Sequence, residues 1–281
     1  MTHPIAVPAF PRLDAGFLAQ ALVSARARAP FLPRLALLLD SGLEFFAEQL
    51  QNAQMISAAE FFGEACSTAP AHWIFGELGG KKILAVPGCS SAYENYSVPR
   101  IGFMLHLIAE LGVQRLIVLN AARGINPQFA PGDLMLIDDH LNMMFVNPLR
   151  GQHRKAWGER WPDMSAPYAP VLQKIALHLA TAARLPLRRG VLYAVRGPSH
   201  ETVAEIPMAR RAGADAVTMS GVPEVLVALS RRMQVLGLSC LTSMSAGLNP
   251  HKREDAERAE SANRSRATLT QLLQRLIKRI G

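Results

Sequence analysis

The sequence predicts an α/β fold, a single domain with a mixed, mostly parallel central sheet flanked by helices. Three observations carry that expectation. Short, continuously apolar runs recur along the chain and end in small or polar residues. Stretches with apolar residues at helical spacing lie between them. No repeat, low-complexity tract or Ser/Gly linker divides the 281 residues. Composition agrees, since 49% apolar and 19% charged residues supply a large core and exclude disorder.

The elements follow in order. Residues 1–30 are expected as an N-terminal helical extension, and residues 31–281 as the main domain. Residues 34–40 (RLALLLD) read as a buried strand leading into Ser41-Gly42, and residues 82–87 (KILAVP) as another, ending at Gly88. Residues 115–119 (RLIVL) give the clearest strand, ending at Asn120-Ala121-Ala122. Residues 134–137, 190–195, 214–219 and 235–241 continue the series. Unbroken apolar character suits strands covered on both faces. Helices are expected over 99–111, over 201–212 before Gly213, and over 222–233, where Pro223-Glu224 favours the first turn. Leu269, Leu272, Leu273, Leu276, Ile277 and Ile280 form one stripe of a C-terminal surface helix. Segment 143–168, with Met143, Met144, Phe145, Trp157 and Trp161, lacks a period and reads as a functional or interface excursion.

The 30 Lys and Arg exceed the 22 Asp and Glu, for a net charge of +8. Such a balance admits nucleic acid, an anionic membrane or a small anion as partner. Many basic residues fall in 150–160, in 184–211 and in the C-terminal helix. They match no nucleic-acid-binding module, so no nucleic-acid partner is expected. Cys66, Cys89 and Cys240 have no C-x-x-C spacing, which argues against a disulfide framework or a zinc site and for a reducing, cytoplasmic setting. No apolar run approaches the roughly 18 residues of a membrane span, and the opening MTHPIAVPAFPRLD lacks the basic start of a signal peptide. There is no G-x-G-x-x-G, P-loop, H-E-x-x-H or G-x-S-x-G motif, so nucleotide-cofactor, metallohydrolase and α/β-hydrolase chemistry have no support.

Four segments remain as candidate chemistry. They are Ser41-Gly42, Asn120-Ala121-Ala122-Arg123-Gly124-Ile125-Asn126-Pro127, Gly197-Pro198-Ser199-His200-Glu201-Thr202, and 213–220 running into Val222-Pro223-Glu224-Val225. Each stands at or near the end of a predicted strand. Ligands of parallel α/β sheets bind there, and small residues with exposed N–H groups and hydroxyls can cradle an anion such as phosphate.

These segments, together with Gly132-Asp133-Leu134-Met135, Asp139-His140-Leu141-Asn142 and Asn147-Pro148-Leu149-Arg150-Gly151, resemble the trimeric class of purine nucleoside phosphorylases. The resemblance runs from about residue 34 to the C-terminus. It implies one phosphorylase domain, a homotrimer or a dimer of trimers, no cofactor, and inorganic phosphate as co-substrate. The implied reaction is the reversible phosphorolysis of a purine (6-oxopurine) nucleoside to base and ribose 1-phosphate. By the same resemblance Ser41, Ala121 and Ser220 bind phosphate, and His72 is a mobile-loop histidine near it. Tyr93 and Met219 line the ribose. Glu201 recognises the N1–H edge of the purine, Thr242, Ser243 and His200 border the base, and Trp157 closes the pocket of a neighbouring subunit.

The sequence also departs from that family. Gly88-Cys89-Ser90-Ser91-Ala92-Tyr93-Glu94 stands where the family has Gly-Arg-x-His-x-Tyr-Glu, so Cys89 replaces the phosphate arginine and Ser91 the histidine. Ser243 replaces an asparagine that follows a threonine, His200 replaces an aromatic, and Arg123 enters the loop after Asn120. A guanidinium gives bidentate, charge-assisted bonds to phosphate that cysteine cannot give. Losing one donor to the departing base costs about 2.7–4 kcal/mol in the barrier. Arg123 is therefore expected as a replacement cation at phosphate, and His200 as a replacement donor at the base. Three functions follow as expectations: a purine nucleoside phosphorylase, a catalytically impaired purine- or nucleoside-binding protein, and a phosphorylase for a modified nucleoside.

Overall fold

A computed structural model describes residues 14–63, 72–88, 98–151, 153–248 and 255–281. The strands are β1 (Leu35–Leu39), β2 (Gln51–Ser57), β3 (His72–Leu78), β4 (Lys81–Pro87) and β5 (Arg115–Gly124), then β6 (Leu134–Asn142), β7 (Arg188–Ala194), β8 (Ala216–Thr218) and β9 (Gln234–Met244). The helices are α1 (Ala15–Arg28), α2 (Ala58–Phe62), α3 (Val98–Glu110), α4 (Pro170–Ala182), α5 (Glu205–Arg211), α6 (Val222–Ser230) and α7 (Asp255–Ile280).

All nine strands join one sheet in the order β2-β3-β4-β1-β5-β8-β7-β6-β9, and β9 pairs back onto β5. The last five strands thus close into a ring. Pairing is mixed, with β1 parallel to β4 and β5, β9 parallel to β5, and β6, β7 and β8 parallel to one another. The hairpins of β2, β3 and β4 are antiparallel, as are the contacts of β8 with β5 and of β6 with β9. The edge strand β2 is polar and largely exposed. Its register slips between Gln51 and Gln54, where Asn52 takes φ 50°.

Burial on both faces explains the continuous apolar runs. In β1, Ala36 and Leu38 enter one core with α1, α2, α3 and α6. Leu35, Leu37 and Leu39 enter the other, beneath α4 and the leucine stripe of α7. Burying one such leucine contributes about 1.5–3 kcal/mol. Of the segment expected as an N-terminal helical extension, residues 1–13 lie outside the described residues; α1 is capped by Asp14, whose side chain accepts from the Phe17 N–H at 3.0 Å. Leu18, Ala21 and Ala25 of α1 belong to the main core.

One expectation is corrected. The helix expected over 201–212 begins four residues later, at Glu205. The Thr202 N–H donates to Glu205 Oε2 at 2.6 Å and the Glu205 N–H to Thr202 Oγ1 at 3.2 Å. This reciprocal cap starts the helix and leaves Glu201 ahead of it. The irregular stretch expected over 143–168 ends just before Pro170, which opens α4.

Candidate active site

The site lies where β1, β5 and β9 end. Beyond β1 the chain delivers Asp40 and Ser41, and β5 ends with Ala121, Ala122 and Arg123. β8 runs antiparallel to β5, with Arg123 opposite Val217. The chain past Thr218 therefore returns along Ala122 and Ala121 toward the end of β1 and brings Ser220 there. On β9 the register against β5 slips after the Ala122–Leu241 pair, so Arg123 faces Ser243 and Thr242 is the extra residue of a bulge. A bulge re-aims side chains. Here it brings both Thr242 and Ser243 to the cavity wall, with the Thr242 hydroxyl 3.3 Å from the Ala122 carbonyl.

The resulting cavity measures about 300 Å³. Its lining includes Ser41, Ala121, Ser220, Met219, Glu201 and Arg123, and also Thr242, Ser243 and His200. Most of the predicted site residues are thus brought together. Gly197 takes φ +65°, and a Cβ there would run into Met219 Sδ, so glycine at this turn admits the methionine to the wall. The motifs around the rim hold one another. Asn126 Nδ2 donates to Asp215 Oδ1 at 2.8 Å, and the Val191 N–H donates to Asp215 Oδ2 at 2.9 Å.

Electrostatics divide the cavity. At one end Arg123 and Glu201 form a hydrogen-bonded ion pair, with side chains 18% and 6% exposed. The Glu201 oxygen that Arg123 does not hold, Oε1, is buried without a hydrogen-bond partner among the described residues. Arg123 was expected at phosphate; its guanidinium is committed to the Glu201 carboxylate. At the other end stands Asp40, which the sequence reading did not single out. Asp40 Oδ2 accepts from the Ser220 hydroxyl at 2.7 Å and the Ala121 N–H at 3.3 Å, and Oδ1 accepts from the Ser41 N–H at 3.0 Å. Burial pushes its carboxyl above the usual range, against the pull of these bonds, and neighbouring Glu44 adds to the rise. The Thr218 hydroxyl bridges the Ala121 carbonyl at 3.0 Å and Ser220 Oγ at 3.3 Å.

Behind Ser220 lies a void of about 10 Å³ lined by Asp40, Asn120, Gly221 and Glu224, about the space of one water. Glu224 was expected as a first-turn carboxylate of α6. It is buried, its pKa is pushed up to about 7, chiefly by desolvation, and its Oε2 has no hydrogen-bond partner among the described residues. Asn120 accepts from the Ser239 hydroxyl at 2.6 Å, and its Nδ2 likewise has no partner among them.

Other expected residues lie elsewhere. His72 opens β3 and is exposed. Ile74 stands opposite Ala85, which puts the start of β3 at the carboxyl end of β4, beside but not in the cavity lining. Trp157 stacks on His106 with centroids 5.0 Å apart and lines a separate cleft of about 120 Å³ with Phe103, Arg150 and Arg160. Cys89, Ser91 and Tyr93 lie outside the described residues. No group of three or more His, Cys, Asp or Glu is placed to hold a metal among the described residues. No described helix is long and apolar enough to cross a membrane.

This sheet and pocket define a class. The family model of the phosphorylase superfamily matches residues 34–278. The chain is 38% identical over 255 residues to purine nucleoside phosphorylase 1 of Geobacillus stearothermophilus, covering 90% of this chain and 93% of the relative. It is 37% identical over 219 residues to the purine nucleoside phosphorylase of Bos taurus, covering 75% and 76%. Among solved structures, a Schistosoma purine nucleoside phosphorylase in complex with hypoxanthine superposes with a TM-score of 0.87 at 26% identity, covering 96% of this chain and 99% of that one. A Schistosoma purine nucleoside phosphorylase in complex with guanosine gives 0.86 at 25%, covering 96% and 98%. The chain belongs to the purine nucleoside phosphorylase family, whose members are glycosyl-transferring enzymes that use phosphate as co-substrate and need no cofactor.

Proposed function

We propose that the cavity takes a 6-oxopurine nucleoside and that the protein cleaves its N-glycosidic bond by phosphorolysis, releasing free base and ribose 1-phosphate. One observation carries the reading. Glu201 presents a buried carboxylate oxygen without a partner among the described residues, while its neighbour oxygen is held by Arg123. A buried acceptor left unmade costs about 1–3 kcal/mol, and the N1–H of a 6-oxopurine is a donor of the right polarity. Met219 then flanks the ribose, the role the family resemblance also gives Tyr93, and Thr242, Ser243 and His200 border the base. Ser41, Ala121 and Ser220 face phosphate, with Cys89 and Ser91 standing where the family carries its cationic phosphate ligands and His72 at the rim. Phosphate can use this cradle once Asp40 yields the Ala121 and Ser220 donors or, protonated, offers one of its own.

The remaining expectations join the proposal. The protein acts in the cytoplasm without nucleic-acid or membrane partners, residues 31–281 form the catalytic domain, and the chain assembles as a homotrimer in which Trp157 borders a neighbour's pocket. Sedimentation equilibrium should give three times the 30.6 kDa of one chain. The central test is base release from inosine, guanosine, xanthosine and adenosine at saturating phosphate. Turnover of the 6-oxopurine nucleosides is expected, and no turnover across the panel refutes the reading. The internal carboxylate in the cradle favours a second reading, purine binding without turnover. That reading predicts calorimetric binding of hypoxanthine by a protein that releases no base.

A further inference from the structure

Asp40 occupies the place of an anion. Two of the three residues assigned to phosphate, Ala121 and Ser220, already donate to its Oδ2 at 3.3 and 2.7 Å, and Oδ1 takes the N–H of the third, Ser41, at 3.0 Å. The carboxylate also lines the open cavity, so it faces whatever lies against the ribose. Charge nearby runs the same way. Arg123 is the only guanidinium or ammonium group among the described lining residues, and Glu201 holds it. Behind Asp40 a second buried carboxyl group, Glu224, faces the small void that both line. A phosphate dianion entering this cradle meets negative charge with no free cation beside it among the described residues. A water molecule meets no such opposition, and a carboxylate is the acceptor that a nucleophilic water needs.

We propose that water is an acceptor at this site, with Asp40 as its general base, so that the protein hydrolyses its nucleoside when Asp40 holds the cradle. The proposal rests on the reading that the cavity takes a purine nucleoside. As the water oxygen bonds to C1′, one of its protons passes to an Asp40 oxygen. The C1′–N9 bond breaks and its electron pair leaves on the purine. The purine is then protonated through solvent as Asp40 gives up its proton. The sum is nucleoside plus water giving base plus ribose, with no further reactant. Phosphorolysis and hydrolysis are then alternative outcomes of one side chain's position.

The test uses the full chain, dialysed free of phosphate, with inosine and guanosine, in the absence and presence of saturating phosphate. Base is followed optically, and the sugar is identified as ribose or ribose 1-phosphate. Base release with ribose as product in phosphate-free buffer is expected. Asp40→Asn should lower that rate about 100-fold or more, the range of a lost general base. The same variant should lower the KM for phosphate, because the cradle loses its internal anion. Asp40→Ala with added formate is the check against a merely structural effect, since formate should restore hydrolysis. A folded Asp40→Asn protein, judged by its thermal transition and hypoxanthine binding, keeps the comparison fair. Base release that strictly requires phosphate, yields ribose 1-phosphate alone and keeps its phosphate KM in Asp40→Asn overturns the inference and leaves the phosphorylase reading standing. Hydrolysis alone supports the inference and removes phosphate as acceptor. Absence of cleavage under both conditions overturns both readings.

Discussion

Replacing Arg123 with alanine probes the ion pair that organises the base end of the cavity. The Glu201 side chain is 6% exposed and that of Arg123 18%, so the pair sits between the surface and buried cases. Removing one partner of a buried pair costs about 3–5 kcal/mol, and the partial exposure of Arg123 lowers this to about 2–3 kcal/mol. The unfolding entropy is roughly 2.1 cal/mol/K per residue, or about 0.6 kcal/mol/K for this chain. The expected fall in Tm is therefore about 3–5 °C. Glu201→Gln should cost less, since the charge it leaves unpaired, on Arg123, is the more exposed of the two. The Arg123→Ala, Glu201→Gln double variant should lose less than the sum of the singles, by about 1 kcal/mol or more. Differential scanning calorimetry on the four proteins measures all of this. Saturating hypoxanthine should recover part of the loss in Arg123→Ala if the purine N1–H engages Glu201. An unchanged Tm in Arg123→Ala, or strict additivity in the double variant, refutes the view that the guanidinium serves Glu201.

Three further outcomes are expected. Glu224 has its pKa raised to about 7 by burial, so its contribution to stability is full below about pH 4.5 and is lost as pH rises through about 7, a swing of about 3 kcal/mol. Urea titrations at pH 5 and pH 8.5 should show this loss in the wild type and a flatter profile in Glu224→Gln. Ser243→Asn, on the β9 bulge, should raise kcat/KM for base release about 10-fold or more by restoring a longer donor to the departing purine; unchanged kinetics would place Ser243 away from the base. Gly197→Ala forces a Cβ into a left-handed turn against Met219. It should cost about 1–2 kcal/mol by chemical denaturation and raise the nucleoside KM through the displaced methionine.

Much of this architecture was legible because burial on both faces leaves a plain signature. The runs at 34–40, 82–87 and 115–119 became β1, β4 and β5. The edge strand β2, QNAQMIS, is polar and exposed along most of its length, so no alternation marked it, and its partner β3 went unread with it. Thr202 and Glu205 start α5 by a reciprocal cap, yet the helical pattern alone suggested a start at Glu201. In the site, the small and hydroxyl residues after each strand gathered at one cavity, as their recurrence suggested. Asp40 was missed because it reads as the polar end of a strand. A carboxylate between an all-leucine run and a Ser-Gly turn was the available signal. The partner of Arg123 was not legible, because residues 123 and 201 meet only through the β5–β8 pairing and the loop beyond β7.

The ring formed by β5 through β9 has a consequence for self-association. Within the ring each strand has a neighbour on either side, and β4 and β1 are likewise flanked. Among the described strands β2 stands at the free end of the strand order. This strand bears Gln51, Asn52 and Gln54, and the left-handed Asn52 interrupts its run of donors and acceptors. The edge that strand addition and amyloid-like growth would use is thereby short and blunted.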